Sequence, residues 1–188
     1  MGAAVYADAG VIYLEGYLAY QAPLLRAVIA QAKTQGLQVV LDFGSFGVVN
    51  DCRALLSDLL STGLVDVIIA NEDEAKAFTT IEEELAVEHL AKIAKVAVVK
   101  LGKRGALIAS GEELVSVEAV PVQAVDTTGA GDLWAAGFLY GYLNGWSLEK
   151  CGKLASAVAS EVVQVLGPSI PDAGYERLLK VRDELAGE

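Results

Sequence analysis

The residues best suited to chemistry lie in one stretch, Asp126 to Asp132, which reads Asp-Thr-Thr-Gly-Ala-Gly-Asp. Its glycines let the backbone turn tightly, and the apolar run Leu133 to Leu143 that follows has the composition of a helix. A helix beginning there would aim free N–H groups of Gly129, Ala130 and Gly131 into the loop. Its dipole would favour an anion such as phosphate.

Asp132 would stand beside that anion, and two negative groups repel each other unless a substrate hydroxyl lies between them. Such a carboxylate suits the role of a general base, which accepts the proton of a hydroxyl as its oxygen attacks a phosphoryl group. The alternative is that Asp126 and Asp132 only cap and charge the beginning of a helix. Spacing alone leaves both interpretations open.

A second candidate pair follows a predicted strand. Asn71 and Glu74 come three residues apart, directly after the apolar run Val65 to Ala70. Open α/β sheets bind ligands at the carboxyl ends of their strands, and an amide with one carboxylate suits Mg²⁺, which keeps most of its waters. The pair also fits a helix cap, with Asn71 as the N-cap and Glu74 as the third helical residue.

A third set lies at the end of the next predicted strand, where Lys100 is followed by Gly102 and Gly105. The glycines fit a hairpin turn with two basic residues at a solvated tip. Lys100 either reaches a phosphate or lies on the surface. The GxGxxG and GxxxxGK[ST] motifs do not occur, which argues against a dinucleotide oxidoreductase and a P-loop enzyme.

The elements that must position these residues alternate between strand and helix. This alternation predicts a mostly parallel sheet with helices on both faces, a three-layer α/β/α class, and we expect one domain over residues 1–188. The predicted strands cover 11–15, 38–43, 65–70 and 96–102, followed by an antiparallel pair at 106–110 and 114–120. The predicted helices cover 23–35, 53–61, 72–78, 82–94, 130–144, 147–165 and 172–186.

The composition argues against several classes of protein. The 188 residues include 14 Lys plus Arg and 25 Asp plus Glu, a net charge of −11 that disfavours binding to nucleic acid. A hydrophobic share of 54% excludes a disordered chain. No apolar run approaches the roughly 20 residues of a membrane span, and no signal peptide is recognisable. We therefore expect a soluble, cytoplasmic protein without a membrane partner.

The cysteines and the single histidine do not form a metal-binding pattern. Cys52 and Cys151 are far apart and lack CxxC spacing, so they are predicted to be small, buried or half-buried side chains. His89 lies in a helical pattern and is predicted to be a surface residue.

Taken together, the three motifs resemble those of the ribokinase-like (PfkB-type) carbohydrate and nucleoside kinases. Asp126-Thr-x-Gly-Ala-Gly-Asp132 matches the C-terminal signature of that family at every fixed position. The family's NxxE motif matches at Asn71 to Glu74, and its strand-end Leu-Gly-x-x-Gly matches after Lys100. The segments around Asp42 and before Asn71 look most like the adenosine-kinase-like branch.

The resemblance implies an ATP-dependent kinase that transfers the γ-phosphoryl group to a hydroxyl of a sugar or nucleoside. It makes Asp132 the base and the N–H groups of Gly129, Ala130 and Gly131 the anion hole. The same resemblance implies that Asn71 and Glu74 organise Mg²⁺, and that a set of nucleotide contacts is made by Lys100, Gly102, Gly105 and Thr128.

Two further roles are implied by the resemblance. Asp126 and Thr128 would contribute to a K⁺ site, with later contacts around 162–167. The adenine would lie against 156–160, with contacts at Ser156 or Ala159. The small residues of that segment have a simpler interpretation, since closely packed helices use Ala and Ser at this density. Asp42 would lie near the transferred phosphate or serve only as a strand-end carboxylate.

The resemblance covers only the C-terminal half to two-thirds of a family member. The N-terminal strands, the lid and most acceptor-binding residues have no counterpart. The chain is therefore expected to be either a kinase domain completed by a homodimer or a missing N-terminal segment, or a non-catalytic nucleotide-binding or oligomerising fragment.

Overall fold

Short runs rich in β-branched residues form the strands, as expected from their preference for a pleated, buried surface. The structure, a computed structural model, describes Tyr6 and residues 8–187. Its strands are β1 Val11–Glu15, β2 Gln38–Asp42, β3 Val67–Asn71, β4 Val96–Lys100, β5 Ala106–Ser110 and β6 Glu113–Val117. They form a six-stranded sheet in sequence order, from β1 to β6.

The first four strands are parallel, and their register aligns their carboxyl ends. Glu15 of β1 lies opposite Asp42 of β2, and Asn71 of β3 lies opposite Lys100 of β4. The first four residues of β3 and of β4 are all buried, which explains their continuous apolar sequences. β5 and β6 are joined by a two-residue turn, a connection that only antiparallel neighbours allow.

The helices follow the predicted pattern closely. They are α1 Ala22–Thr34, α2 Phe46–Ser61, α3 Glu72–Thr79, α4 Glu83–Leu90, α5 Ala130–Leu143, α6 Leu148–Val162 and α7 Asp172–Gly187, with short 3-10 helices at Gly16–Gln21 and Gly102–Arg104. Within the range that the structure describes, no helix is both long and apolar enough to cross a membrane.

Two helices differ most from their predicted bounds. α2 begins at Phe46 rather than at Arg53, because the Ser45 side chain accepts a hydrogen bond from the Val48 N–H (3.2 Å) and caps the helix earlier. α4 ends at Leu90, and the predicted last turn to Ala94 is irregular. His89 is exposed, Cys151 is buried and Cys52 is half-buried, as predicted.

Residue contacts divide the chain into two units, Met1–Lys100 with Ala109–Leu114, and Leu101–Ile108 with Val115–Glu188. In the second unit, α5 and α6 pack closely through small residues. A Cβ on Gly137 would lie 2.9 Å from the Ala155 Cα, and one on Gly141 would lie 3.0 Å from the Cys151 Sγ. Part of the small-residue pattern in α6 therefore serves helix packing.

A buried carboxylate links the amino ends of the strands in the first unit. The Asp66 side chain is 2% exposed and contacts Lys33 Nζ at 2.6 Å and Lys95 Nζ at 2.8 Å. It also accepts a hydrogen bond from the Val39 N–H at 2.8 Å. Burial by itself would raise the pKa of Asp66, but these hydrogen bonds outweigh burial and hold the pKa below its ordinary value.

Replacing Asp66 with Asn should lower the free energy of unfolding by about 2–3 kcal/mol at pH 7, because two ammonium groups lose their buried partner. A lowered folded-state pKa stabilises the fold above the unfolded pKa of about 3.9, and this contribution is lost as pH falls through the folded pKa. Urea unfolding at several pH values should therefore show the difference shrinking in acid. Asp58→Asn, at the exposed ion pair with Arg26, is the control and should change little.

Candidate active site

Polar side chains gather at the carboxyl ends of the four parallel strands. Glu15, Asp42, Asn71 and Lys100 are the last residues of β1, β2, β3 and β4. This edge is where open α/β sheets bind ligands, since the strands end there and loops take over. The register places two carboxylates, an amide and an ammonium group there from separate segments of the sequence.

Asp42 is the most connected residue of this edge. Its Oδ2 atom accepts a hydrogen bond from the Tyr13 hydroxyl at 2.9 Å and contacts Lys100 Nζ at 2.9 Å. Its Oδ1 atom accepts from the Gly44 N–H at 3.0 Å. The Asp42 side chain is 5% exposed and that of Lys100 is 16% exposed. The sequence suggested a strand-end carboxylate here, but not its partners.

Asn71 and Glu74 form a complete capping box at the start of α3. The Asn71 Oδ1 atom accepts from the Glu74 N–H at 2.9 Å, and Glu74 Oε2 accepts from the Asn71 N–H at 2.8 Å. The Asn71 amide also donates to Glu74 Oε1 at 2.9 Å. The cap interpretation is thus confirmed. Each carboxylate oxygen retains a second lone pair, so the pair still fits a water-mediated Mg²⁺ site, which stays a prediction.

Glu74 sits in an environment that disfavours its charge. Burial raises the pKa of Glu74, and the negative charges of Asp42 and Glu15 raise it further. The Asn71 N–H and the Lys100 ammonium oppose this shift without cancelling it. A cation at this edge would lower the electrostatic cost of keeping both Glu74 and Asp42 ionised.

The second unit contains the Asp126 to Asp132 loop, and Asp126 ties that loop to the segment after α6. Its Oδ1 atom accepts from the Thr128 hydroxyl at 2.7 Å and from the Thr128 N–H at 2.9 Å. Its Oδ2 atom accepts from the Gly167 N–H at 2.9 Å. These bonds, led by the one from Gly167, lower the pKa of Asp126. The loop thus lies beside the segment where the resemblance implies further K⁺ contacts, and K⁺ binding stays a prediction.

The loop turns sharply at Gly129, the N-cap of α5. Gly129 has φ +75°, and a Cβ there would lie 2.6 Å from the Pro168 Cβ, so the position needs glycine for two reasons. Asp132 follows in the first helical turn, and its side chain is exposed. The predicted helix start is confirmed, with an exposed carboxylate in its first turn.

The N–H groups at this helix start differ from expectation at one position. The Ala130 N–H donates to the Thr127 carbonyl at 3.1 Å, so it is not free, because the chain makes a tight turn before α5. Within residues 8–187 the N–H groups of Gly129, Gly131 and Asp132 have no acceptor. The free donors therefore include Asp132 in place of Ala130.

Gly102 and Gly105 bound a short 3-10 turn after β4. The Leu101 N–H donates to the Gly105 carbonyl at 2.8 Å, and the turn between the glycines is exposed. Gly105 has φ +96°, and a Cβ there would lie 1.9 Å from the Val117 carbonyl oxygen. The structural demand for Gly105 is clear, and nucleotide contact at Gly102 and Gly105 stays a prediction.

Ser156 and Ala159 lie in the last half of α6. Ser156 is 5% exposed, and its hydroxyl is buried without a hydrogen-bond partner among the described residues. Ala159 is partly exposed. A buried hydroxyl without a partner is uncommon and is compatible with a ligand nearby. Adenine contact at these two residues stays a prediction.

Comparison with known proteins identifies the family. The family model described as "pfkB family carbohydrate kinase" matches residues 3–173. The chain belongs to this family. The resemblance to the PfkB-type kinases is thereby confirmed.

Solved structures of sugar and nucleoside kinases share the fold of this PfkB-family chain. A probable sugar kinase from Rhizobium etli is 37% identical, with a TM-score of 0.88 over 98% of this chain and 57% of that one. An adenosine kinase from Sinorhizobium meliloti is 36% identical, with a TM-score of 0.87 over the same shares. The expected three-layer α/β/α, ribokinase-like class is confirmed.

A ribokinase from Arabidopsis thaliana, solved as a complex with ribose and ATP, is 31% identical, with a TM-score of 0.71 over 92% of this chain and 55% of that one. The PfkB-family chain thus spans little more than half of these solved chains. It spans 41% of an uncharacterized sugar kinase from Archaeoglobus fulgidus and 37% of a nucleoside kinase from Methanothermobacter thermautotrophicus.

Gly129→Ala should destabilise the second unit for two reasons. Alanine disfavours the left-handed backbone at this position, and the new methyl group would also overlap Pro168. Gly145→Ala is the matched control, since Gly145 has φ +73° but open space around its Cα. We expect the control to cost about 1 kcal/mol and Gly129→Ala clearly more. Urea unfolding of both variants measures the difference, and equal losses would contradict the tight contact.

Proposed function

We propose that this chain is the nucleotide-handling part of an ATP-dependent kinase whose acceptor is a hydroxyl of a sugar or nucleoside. The observation that carries the proposal is the loop at the start of α5, where free N–H groups and an exposed Asp132 adjoin each other in a PfkB-family chain. Donors for a phosphate and a base for a hydroxyl are the two requirements of phosphoryl transfer to an alcohol.

Asp132 would act as the general base. Its carboxylate accepts the proton of the acceptor hydroxyl while the oxygen of that hydroxyl attacks the γ-phosphorus. The bond from the γ-phosphorus to the oxygen that bridges it to the β-phosphate breaks, and ADP leaves with that oxygen. The N–H groups of Gly129, Gly131 and Asp132 would stabilise the charge on the phosphoryl oxygens.

The strand-end residues of the first unit would hold the nucleotide and its metal. ATP with a divalent metal fits this edge, because Lys100 offers an ammonium group and Glu74 offers a carboxylate that burial and its acidic neighbours make costly to ionise. When bound, Mg²⁺ neutralises phosphate charge. Asn71 and Glu74 would orient its waters, and Lys100 would contact a phosphate oxygen. Gly102, Gly105, Thr128, Ser156 and Ala159 are proposed as further nucleotide contacts.

Two features limit the acceptor assignment to a class. The similar proteins include an adenosine kinase and a ribokinase, which supports nucleosides and sugars together. The chain spans 57% of the adenosine kinase structure, so the acceptor-binding part would come from a second copy or from a further segment. The same shortfall favours the alternative function, a nucleotide-binding fragment without transfer. We expect either form in the cytoplasm, where ATP is available.

Asp132→Asn should lower kcat about 10²- to 10⁴-fold, because the hydroxyl proton loses its acceptor, while affinity for an ATP analogue stays nearly the same. Transfer from ATP to adenosine, ribose and fructose 6-phosphate measures this. Asp172→Asn, in the first turn of α7, is the matched control for charge at a helix start and should leave kcat unchanged. Full activity in the Asp132 variant would contradict the assignment of Asp132 as the base. A wild-type chain that binds the ATP analogue without transferring phosphate would favour the nucleotide-binding fragment.

Glu74→Gln should raise the Mg²⁺ concentration needed for half-maximal nucleotide binding, because the carboxylate charge is lost. The glutamine oxygen can still accept from the Asn71 N–H and keep the capping box. Its NH2 group would face the donating Asn71 amide, so the free energy of unfolding should fall slightly. Titrating Mg²⁺ at fixed ATP analogue, alongside thermal unfolding, separates the two effects. An unchanged Mg²⁺ requirement would leave Glu74 as a helix cap only.

A further inference from the structure

We infer that Asp42 is a positioning residue that holds the Lys100 ammonium group ready for a phosphate oxygen of the nucleotide. The inference rests on the proposed function, in which Lys100 contacts the nucleotide. It assigns a task to a buried carboxylate that belongs to none of the three sequence motifs.

The geometry around Asp42 is that of a fixed anchor. Both of its oxygens are used, since Oδ2 meets the Tyr13 hydroxyl and Lys100 Nζ, each at 2.9 Å, and Oδ1 accepts from the Gly44 N–H at 3.0 Å. A carboxylate that is 5% exposed and held by groups from β1 and from the loop after β2 has little freedom to move. Asp42 therefore fixes the position of the Lys100 ammonium group.

Lys100 keeps capacity for a ligand in this position. Asp42 is its single hydrogen-bond partner within the described residues, and an ammonium group has three donors. Its side chain is 16% exposed, so Lys100 is partly open to solvent. A flexible lysine loses rotamer freedom when it binds a phosphate, and an anchor that has already fixed it removes much of that cost.

Glu74 is a second anion that acts on the Lys100 ammonium group. The charges of Lys100 and Asp42 both act on Glu74. Without Asp42, we expect Glu74 alone to attract the ammonium group and to compete with a phosphate for it. The 2.9 Å hydrogen bond from Lys100 Nζ to Asp42 Oδ2 opposes that competition.

A double-mutant cycle separates positioning from simple charge. Asp42 is negative, so removing its charge should strengthen binding of a phosphate if nothing else changes. Positioning predicts the opposite in the wild-type background. We therefore expect Asp42→Asn to weaken binding of AMP-PNP with Mg²⁺ about tenfold, the order expected for restoring the rotamer freedom of one lysine.

The sign should reverse when Lys100 is absent. In a Lys100→Met background the Asp42 carboxylate has lost its ammonium partner and repels the phosphates, so adding Asp42→Asn should strengthen binding. Adenosine, which has no phosphate, should bind equally to all four proteins. Calorimetric titration of the 188-residue chain with both ligands gives these affinities.

A matched control and a second variant guard against loss of folding. Asp66→Asn removes a buried, lysine-paired aspartate from the amino end of the same strands and should leave AMP-PNP binding unchanged. Asp42→Glu keeps the charge but moves the carboxylate by one methylene group, and positioning predicts weaker AMP-PNP binding for it too. Circular dichroism confirms that each variant is folded.

The outcomes separate failure of the positioning role of Asp42 from failure of the proposed function. A wild-type chain that binds neither AMP-PNP nor adenosine overturns the proposed function and this inference with it. A wild-type chain that binds AMP-PNP, with Asp42→Asn strengthening binding in both backgrounds, overturns the positioning role alone. Reversal of sign between the two backgrounds supports it.

Discussion

The parallel register of β1 to β4 is the constraint on which this part of the protein depends. It sets Glu15 opposite Asp42 and Asn71 opposite Lys100, so strand ends separated by long stretches of sequence meet at one edge. That register pairs buried apolar residues across neighbouring strands, such as Leu41 with Ile68 and Val67 with Val96. Packing of the core therefore fixes the spacing of the polar groups that a ligand would meet.

The two ends of these strands use buried aspartates in different ways. At the amino end, Asp66 is matched by two lysines and a backbone N–H, and the pKa of its carboxyl is lowered. At the carboxyl end, Asp42 and Lys100 lie near Glu74, whose pKa is raised. The amino end is electrostatically satisfied, which suits a structural role. The carboxyl end keeps excess negative charge next to an ammonium group, which suits a site completed by a metal and a nucleotide.

Much of this was accessible from sequence because the signals are local. The apolar run before Asn71, the Asn71 and Glu74 cap spacing and the glycines before Asp132 each predict structure within a few residues, and each was found. The start of α2 differs from the prediction, because the cap at Ser45 is followed by a glycine and two valines, which have low helix propensity. The bond from the Ala130 N–H to Thr127 depends on the exact turn, and the partners of Asp42 depend on strand register. Neither can be read from composition or spacing.

We propose that this PfkB-family chain binds ATP with a divalent metal. Calorimetric titration of the folded 188-residue chain with AMP-PNP, with and without Mg²⁺, tests it most directly. We expect a single binding site whose affinity falls sharply when Mg²⁺ is left out. A folded chain that shows no binding in the presence of Mg²⁺ would contradict this expectation, because the signature loop and the strand-end residues would then be present without their ligand.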